Sequence, residues 1–173
     1  MKNATIKSLV LGTVAALMLT AGSANALTVT LSSANMSNGY MNVFDLPSNG
    51  GGYIFGSGWG VADLCAVFTG DNLQMWPNQI GDPNPFWYTP SGGPGSTGNK
   101  IMEANLYAQY DGTWAGQTVT FQGNCNAYSL VSGYAVMAFL RDFAPDYSSV
   151  NEQSVAITAT GNFSVSMSMV NDT

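Results

Sequence analysis

The stretch KIMEANLYAQYDGTWAGQTVTFQGNCN, residues 100–126, decides the fold class. In its first part Met102, Ala104, Leu106 and Ala108 alternate with Glu103, Asn105 and Gln109, the period-2 pattern of a strand with one buried face. In its last part Val119, Phe121 and Cys125 alternate with Thr118, Thr120, Gln122 and Asn124. Asp111-Gly112 supplies the left-handed backbone a tight reversal needs, and Gly116 offers a second bend. The pattern predicts two long strands joined as a hairpin.

Strand signals continue on both sides. Leu27–Ser33 alternates apolar and hydroxyl residues, Tyr40–Leu46 is apolar on both faces, and Pro47 to Gly52 is a turn. Tyr53–Phe55 suits a short edge strand; Val61–Thr69 and Leu73–Trp76 suit strands divided by Gly70-Asp71-Asn72. Beyond the central stretch, Tyr134–Phe143 reads as a long strand, Ser154–Thr158 as a short one, and Asn162–Val170 alternates Phe163, Val165, Met167 and Met169 with serines. From residue 27 on, helical periodicity is nowhere sustained. About seven to nine strands separated by turns predict an all-β, antiparallel two-sheet β-sandwich.

Residues 1–26 read as a secretory signal peptide: Lys2 and Lys7, an apolar run from Leu9 to Leu19, then Ala24-Asn25-Ala26. The run is short of the roughly 20 apolar residues of a membrane span. Cleavage near Ala26 and a secreted, periplasmic or extracellular product are therefore expected, with no membrane insertion. Residues 27–173 suit a single β-sandwich domain. They keep two basic residues, Lys100 and Arg141, against ten Asp and Glu, a net charge of −8. Without clustered Lys and Arg, nucleic acid is excluded as a partner. Cys65 and Cys125 would meet an oxidising compartment, where a disulfide closing a loop of about 60 residues would stabilise by about 2–4 kcal/mol; two buried thiols are the alternative.

Residues 77–99, PNQIGDPNPFWYTPSGGPGSTGN, hold five of the seven prolines and five glycines, which no regular element would carry. Long loops of this kind in a compact domain are functional or disordered, and the adjacent Phe86, Trp87 and Tyr88 argue against disorder. Aromatic rings stack on the apolar face of a pyranose while nearby amides and carboxylates bond its hydroxyls. Trp76, Trp87 and Tyr88 are the first candidates for such a site. Trp59 and Trp114, each close to a glycine, are the next, with the alternative that these rings plug the ends of the sandwich.

The chain has no histidine, which removes Ser-His-Asp and Cys-His catalysis and His-ligated zinc or copper. The Gly runs at 50–60 and 92–98 precede no helix and no P-loop Lys, so nucleotide binding is not expected. The catalysis left open is a glycosidase-type carboxylate pair about 5–9.5 Å apart, to which Glu103 and Glu152, the only glutamates, or Asp142 and Asp146 would contribute. Solvated surface carboxylates are the simpler reading. Calcium is the cofactor these oxygen ligands would suit, held by Asp142, Asp146 and Glu152, or near Asp82 and Asn84.

Three segments carry a resemblance: AGQTVTF at 115–121, GYAVMAF at 133–139 and GNFSVS at 161–166. They resemble the strands of carbohydrate-binding-module-like jelly rolls, the galactose-binding-like sandwiches of exported bacterial proteins. The resemblance covers the C-terminal half and its matched motifs are core strands, so it assigns no binding residue. It implies a jelly roll, often with structural calcium, that binds sugar through aromatics on a concave face or in end loops. Such domains carry a closing strand after the part matching Gly161–Val170, a place the N-terminal strand would have to fill here. The expected function is a secreted, non-catalytic carbohydrate-binding module. Its rival is a structural protein of the cell surface or matrix that self-associates through exposed sheet edges.

Overall fold

The computed structural model describes residues 6–10, 26–29, 31–77, 80–89 and 96–171. Among them run thirteen strands: β1 Ile6–Val10, β2 Ala26–Thr28, β3 Asn38–Asp45, β4 Tyr53–Gly58, β5 Ala66–Thr69, β6 Asn72–Met75, β7 Tyr88–Thr89, β8 Thr97–Gly98, β9 Lys100–Tyr107, β10 Thr118–Cys125, β11 Met137–Phe143, β12 Val150–Ala156 and β13 Gly161–Ser168. The fold is all-β and sandwich-like. One sheet has the order β13-β10-β1-β6-β5, with β2 parallel to the start of β10; facing it are β4-β3-β9 and the pair β11-β12.

Parity along the strands puts the apolar residues between these layers. Met41 and Val43 of β3 are fully buried and pack with Leu64, Phe55, Met102 and Ala104. Leu106 continues this layer against Ala66 and Leu73 of β5 and β6. At the other end Ala138, Leu140 and Val155 of β11 and β12 pack on Phe121, Cys125, Phe163 and Val165 of β10 and β13. Full burial of such a side chain is worth about 1.5–3 kcal/mol. These clusters hold the layers together.

The two long strands of residues 100–126 form as read, but they are not a hairpin. β9 pairs with β3 from Asn38 opposite Tyr107 to Asp45 opposite Lys100, whereas β10 pairs with β13 from Thr118 opposite Ser168 to Cys125 opposite Gly161. The intervening residues 108–117 cross from one layer to the other. Gly112 and Gly116, at φ 65° and 73°, make its bends, and Trp114 packs on Tyr110 within it. A two-residue reversal would hold β9 beside β10; a connection this long lets each strand find a better-matched neighbour.

Other boundaries shift for local reasons. Residues 61–65 form a turn closed by Leu64 N–H to Gly60 O and end with Cys65 at φ 54°, so the strand there begins only at Ala66. Gly133 at φ 94° turns the chain ahead of β11, which begins at Met137 instead of Tyr134. β12 starts at Val150 because β11 supplies partners as far as Phe143. Within the loop 77–99, Tyr88 and Thr89 pair with Gly98 and Thr97; residues 78–79 and 90–95 lie outside the described residues.

The disulfide expected between Cys65 and Cys125 is not formed, and both are free thiols. Cys65 leads into β5 and Cys125 ends β10, with β6 and β1 between those strands. Three strand spacings are roughly 14 Å, against the 4.4–6.8 Å between Cα atoms that a disulfide spans. Cys125 packs instead in the core, its thiol 3.4 Å from the Ala127 carbonyl. Of the expected leader, Ile6–Val10 occupies the sheet position between β10 and β6; residues 1–5 and 11–25 lie outside the described residues. Among the described residues no helix is long and apolar enough to cross a membrane.

Candidate functional site

The aromatic cluster of the 77–99 loop faces inward. Asp82 and Asn84 start the loop with side-chain caps, Asp82 Oδ1 accepting from the Asn84 N–H at 2.9 Å and Asn84 Oδ1 from the Phe86 N–H at 2.8 Å. The turn so formed sends Phe86 and Trp87 against Phe55 on the Met41–Val43–Leu64 cluster, with Phe86 and Trp87 edge to face at 4.6 Å. Lys100 lies over the Phe86 ring at 4.6 Å and pairs with Asp45 at 2.9 Å. Tyr88 is buried, and its hydroxyl donates to the Ile80 carbonyl. Burial holds that hydroxyl's pKa above its ordinary 10.0.

The remaining tryptophans are dispersed. Trp114 packs beside Val119, Met167 and Met169 at one end of the sandwich. Trp76 is half-buried and its backbone N–H donates to the Cys65 carbonyl. Trp59 packs on the Leu64 cluster, donates its indole N–H to Ser57 Oγ at 2.8 Å, and lines an open depression of about 560 Å³ with Asp63, Cys65, Ile80 and backbone glycines. The structure thus sets Trp59 and Trp87 on one cluster and ties Trp76 and Tyr88 to Cys65 and Ile80 at the depression, while Trp114 packs on a separate cluster.

Nor do the calcium candidates converge. Buried Asp142 accepts the N–H groups of Val170 and Asn171 at 2.8 and 3.0 Å, fastening the end of β13 to β11. Asp146 caps its own loop: hydrogen bonds from the Ser148 hydroxyl and N–H hold its carboxyl below the ordinary value. Glu152 binds Arg141. Among the described residues no three His, Cys, Asp or Glu side chains gather to hold a metal.

A different constellation lies on the outer face of β3, β9, β11 and β12. The parity that buries Met41 and Val43 turns Tyr40, Asn42 and Phe44 outward, and the register sets Asn42 opposite Glu103 and Tyr40 opposite Asn105. Glu103 Oε1 accepts from Asn42 Nδ2 at 3.1 Å and Asn105 Nδ2 at 3.0 Å. Arg141, from β11, reaches Glu103 at 3.6 Å and Asn105 Oδ1 at 3.5 Å, and donates through Nε to Glu152 at 2.6 Å. Its guanidinium lies 4.6 Å from the centre of the Phe139 ring. The sole arginine and both glutamates of a chain with 8% charged residues thus meet at one place, and they join the β4-β3-β9 sheet to the β11-β12 pair.

Tyr40 flanks this polar group on an exposed surface, with 37% of its area open to solvent. Its ring lies across Gly56, where an added methyl would come within 2.7 Å of the ring. Further along the same face Tyr53 packs edge-on to Phe44 at 5.6 Å. Arranged in this way, the face offers aromatic rings beside a fixed set of carboxylate and amide groups. The sequence carries one signal for it, the alternation Tyr40-Met41-Asn42-Val43-Phe44; the register that brings Glu103 and Arg141 beside those residues is absent from it.

No family model matches the chain, and neither the curated proteins nor the solved structures contain a match.

Proposed function

We propose that this protein is an exported, non-catalytic glycan-binding module whose binding surface is the outer face of β3, β9 and β11, and not the loop 77–99. One observation carries this reading: the hydrogen-bonded group of Asn42, Glu103, Arg141 and Glu152, held on strands, braced by the buried Asn105 and flanked by the exposed ring of Tyr40. Sugars are recognised by this combination, planar polar groups for hydroxyls and a ring for the CH face. A glycosidase acid has to be kept protonated by a shielded site. Glu103 and Glu152 are exposed and share one guanidinium, an arrangement suited to binding. Immobilised polysaccharides test the reading: Tyr40→Ala is expected to weaken retention by about tenfold, the loss of about 1.4 kcal/mol, while the thermal melt stays near that of the parent. Unchanged retention would defeat it.

A second reading is self-association through sheet edges. β4 and β13 are edge strands without a single charged or proline residue, and Tyr53 of β4 is 59% exposed. Such edges are ordinarily blunted by Lys, Pro or bulges. Sedimentation of the exported protein over a concentration series separates the two readings, since a monomer throughout removes the second.

A further inference from the structure

We infer that the ligand of the β3–β9–β11 face is a neutral, hydroxyl-rich glycan, and that glycans bearing uronate or sulfate are excluded. The inference rests on reading this face as a glycan site and concerns the chemistry it admits. Beyond Lys2 and Lys7 the chain has two cations, and both are committed. Lys100 has a side chain 9% exposed, paired with Asp45 and held over the Phe86 ring. Arg141 spends its guanidinium on Glu152, Glu103 and Asn105.

An incoming carboxylate or sulfate would have to displace one of these partners. It would also meet a face on which two carboxylates outnumber one guanidinium, in residues 27–173 with a net charge of −8. A neutral sugar meets no such opposition. Oε1 of Glu103 takes the Asn42, Asn105 and Arg141 groups, and Oε2 of Glu152 takes Arg141 Nε. With side chains 45% and 40% exposed, the two carboxylates also present acceptor surface to hydroxyl donors, for bonds of the stronger, charge-assisted kind. Specificity arises here because like charge is repelled and hydroxyls satisfy groups that would otherwise bind water.

The test uses the full gene expressed in a secreting host, so that the exported form is assayed. Affinity electrophoresis is run in gels containing neutral β-glucan, xylan, mannan or galactan, and in gels containing polygalacturonate or dextran sulfate. At least one neutral polymer is expected to bind about tenfold tighter than any charged one, with little change between low and high salt. Glu103→Gln with Glu152→Gln is expected to narrow the gap for polygalacturonate. Equal or tighter binding of polygalacturonate or dextran sulfate overturns the neutral class while leaving glycan binding in place. Retention by no polymer of either kind takes down the glycan reading and this inference with it.

Discussion

The loop 77–99 and the β3–β9–β11 face are built from the same kinds of side chain, aromatic rings with amides and carboxylates, and they put them to opposite use. In the loop the rings are adjacent in sequence, the chain has no alternation to divide them between core and solvent, and Phe86 and Trp87 pack under Lys100 while Tyr88 is buried. On β3 the rings are four residues apart with Asn42 between them on the same face, so the pleat that buries Met41 and Val43 presents Tyr40 and Phe44. An aromatic cluster in a loop is thus better read as an anchor that fastens the loop, and an aromatic alternating with buried residues on a strand as a surface.

This contrast can be broken experimentally. The largest effect is expected from Trp87→Ala, which removes a ring from the packing around Phe55 and should cost about 3 kcal/mol of stability in urea unfolding, with glycan retention per folded molecule unchanged. If stability holds and retention is lost, the two regions have been assigned the wrong way round. Arg141→Met comes next. It leaves Glu103 and Glu152 without their shared cation and should cost about 1–2 kcal/mol, combining partly exposed ion pairs and the contact with Phe139, while abolishing retention.

A smaller effect sharpens the contrast through pH. Because burial raises the Tyr88 pKa above 10.0, the neutral phenol is the form the fold favours. Its contribution is fully present below the unfolded-state value and is lost as pH rises through the folded one. Stability should therefore fall above pH 10, and Tyr88→Phe, which cannot ionise, should flatten that decline. An identical alkaline decline in both proteins would mean that the Tyr88 hydroxyl is not shielded.

Much of the fold was legible because it depends on parity alone. The alternations in 102–108, 119–125 and 162–170 name strands and their buried faces without knowledge of partners. Pairing was not legible: the Asp111-Gly112 dipeptide signals a reversal, yet what separates β9 from β10 is the length of residues 108–117 and the better match of each strand with β3 and β13. The site depended on that same missing information. Glu103 and Arg141 are 38 positions apart and meet only because β9 and β11 share a layer. Trp87 and Tyr88 were conspicuous as residues, but nothing local shows that the caps of Asp82 and Asn84 turn the loop toward Phe55 and Ile80.

The way Lys100 and Arg141 are engaged also bears on resistance to proteolysis. Digestive proteases that cleave after lysine or arginine find only these two positions beyond residue 7, each within a paired strand and each with its cation bound to a carboxylate. Cleavage requires the chain to be drawn out into the enzyme's groove, and strands inside a sheet yield only when the domain opens. Cleavage after Lys100 or Arg141 therefore waits on opening of the sheet that holds it.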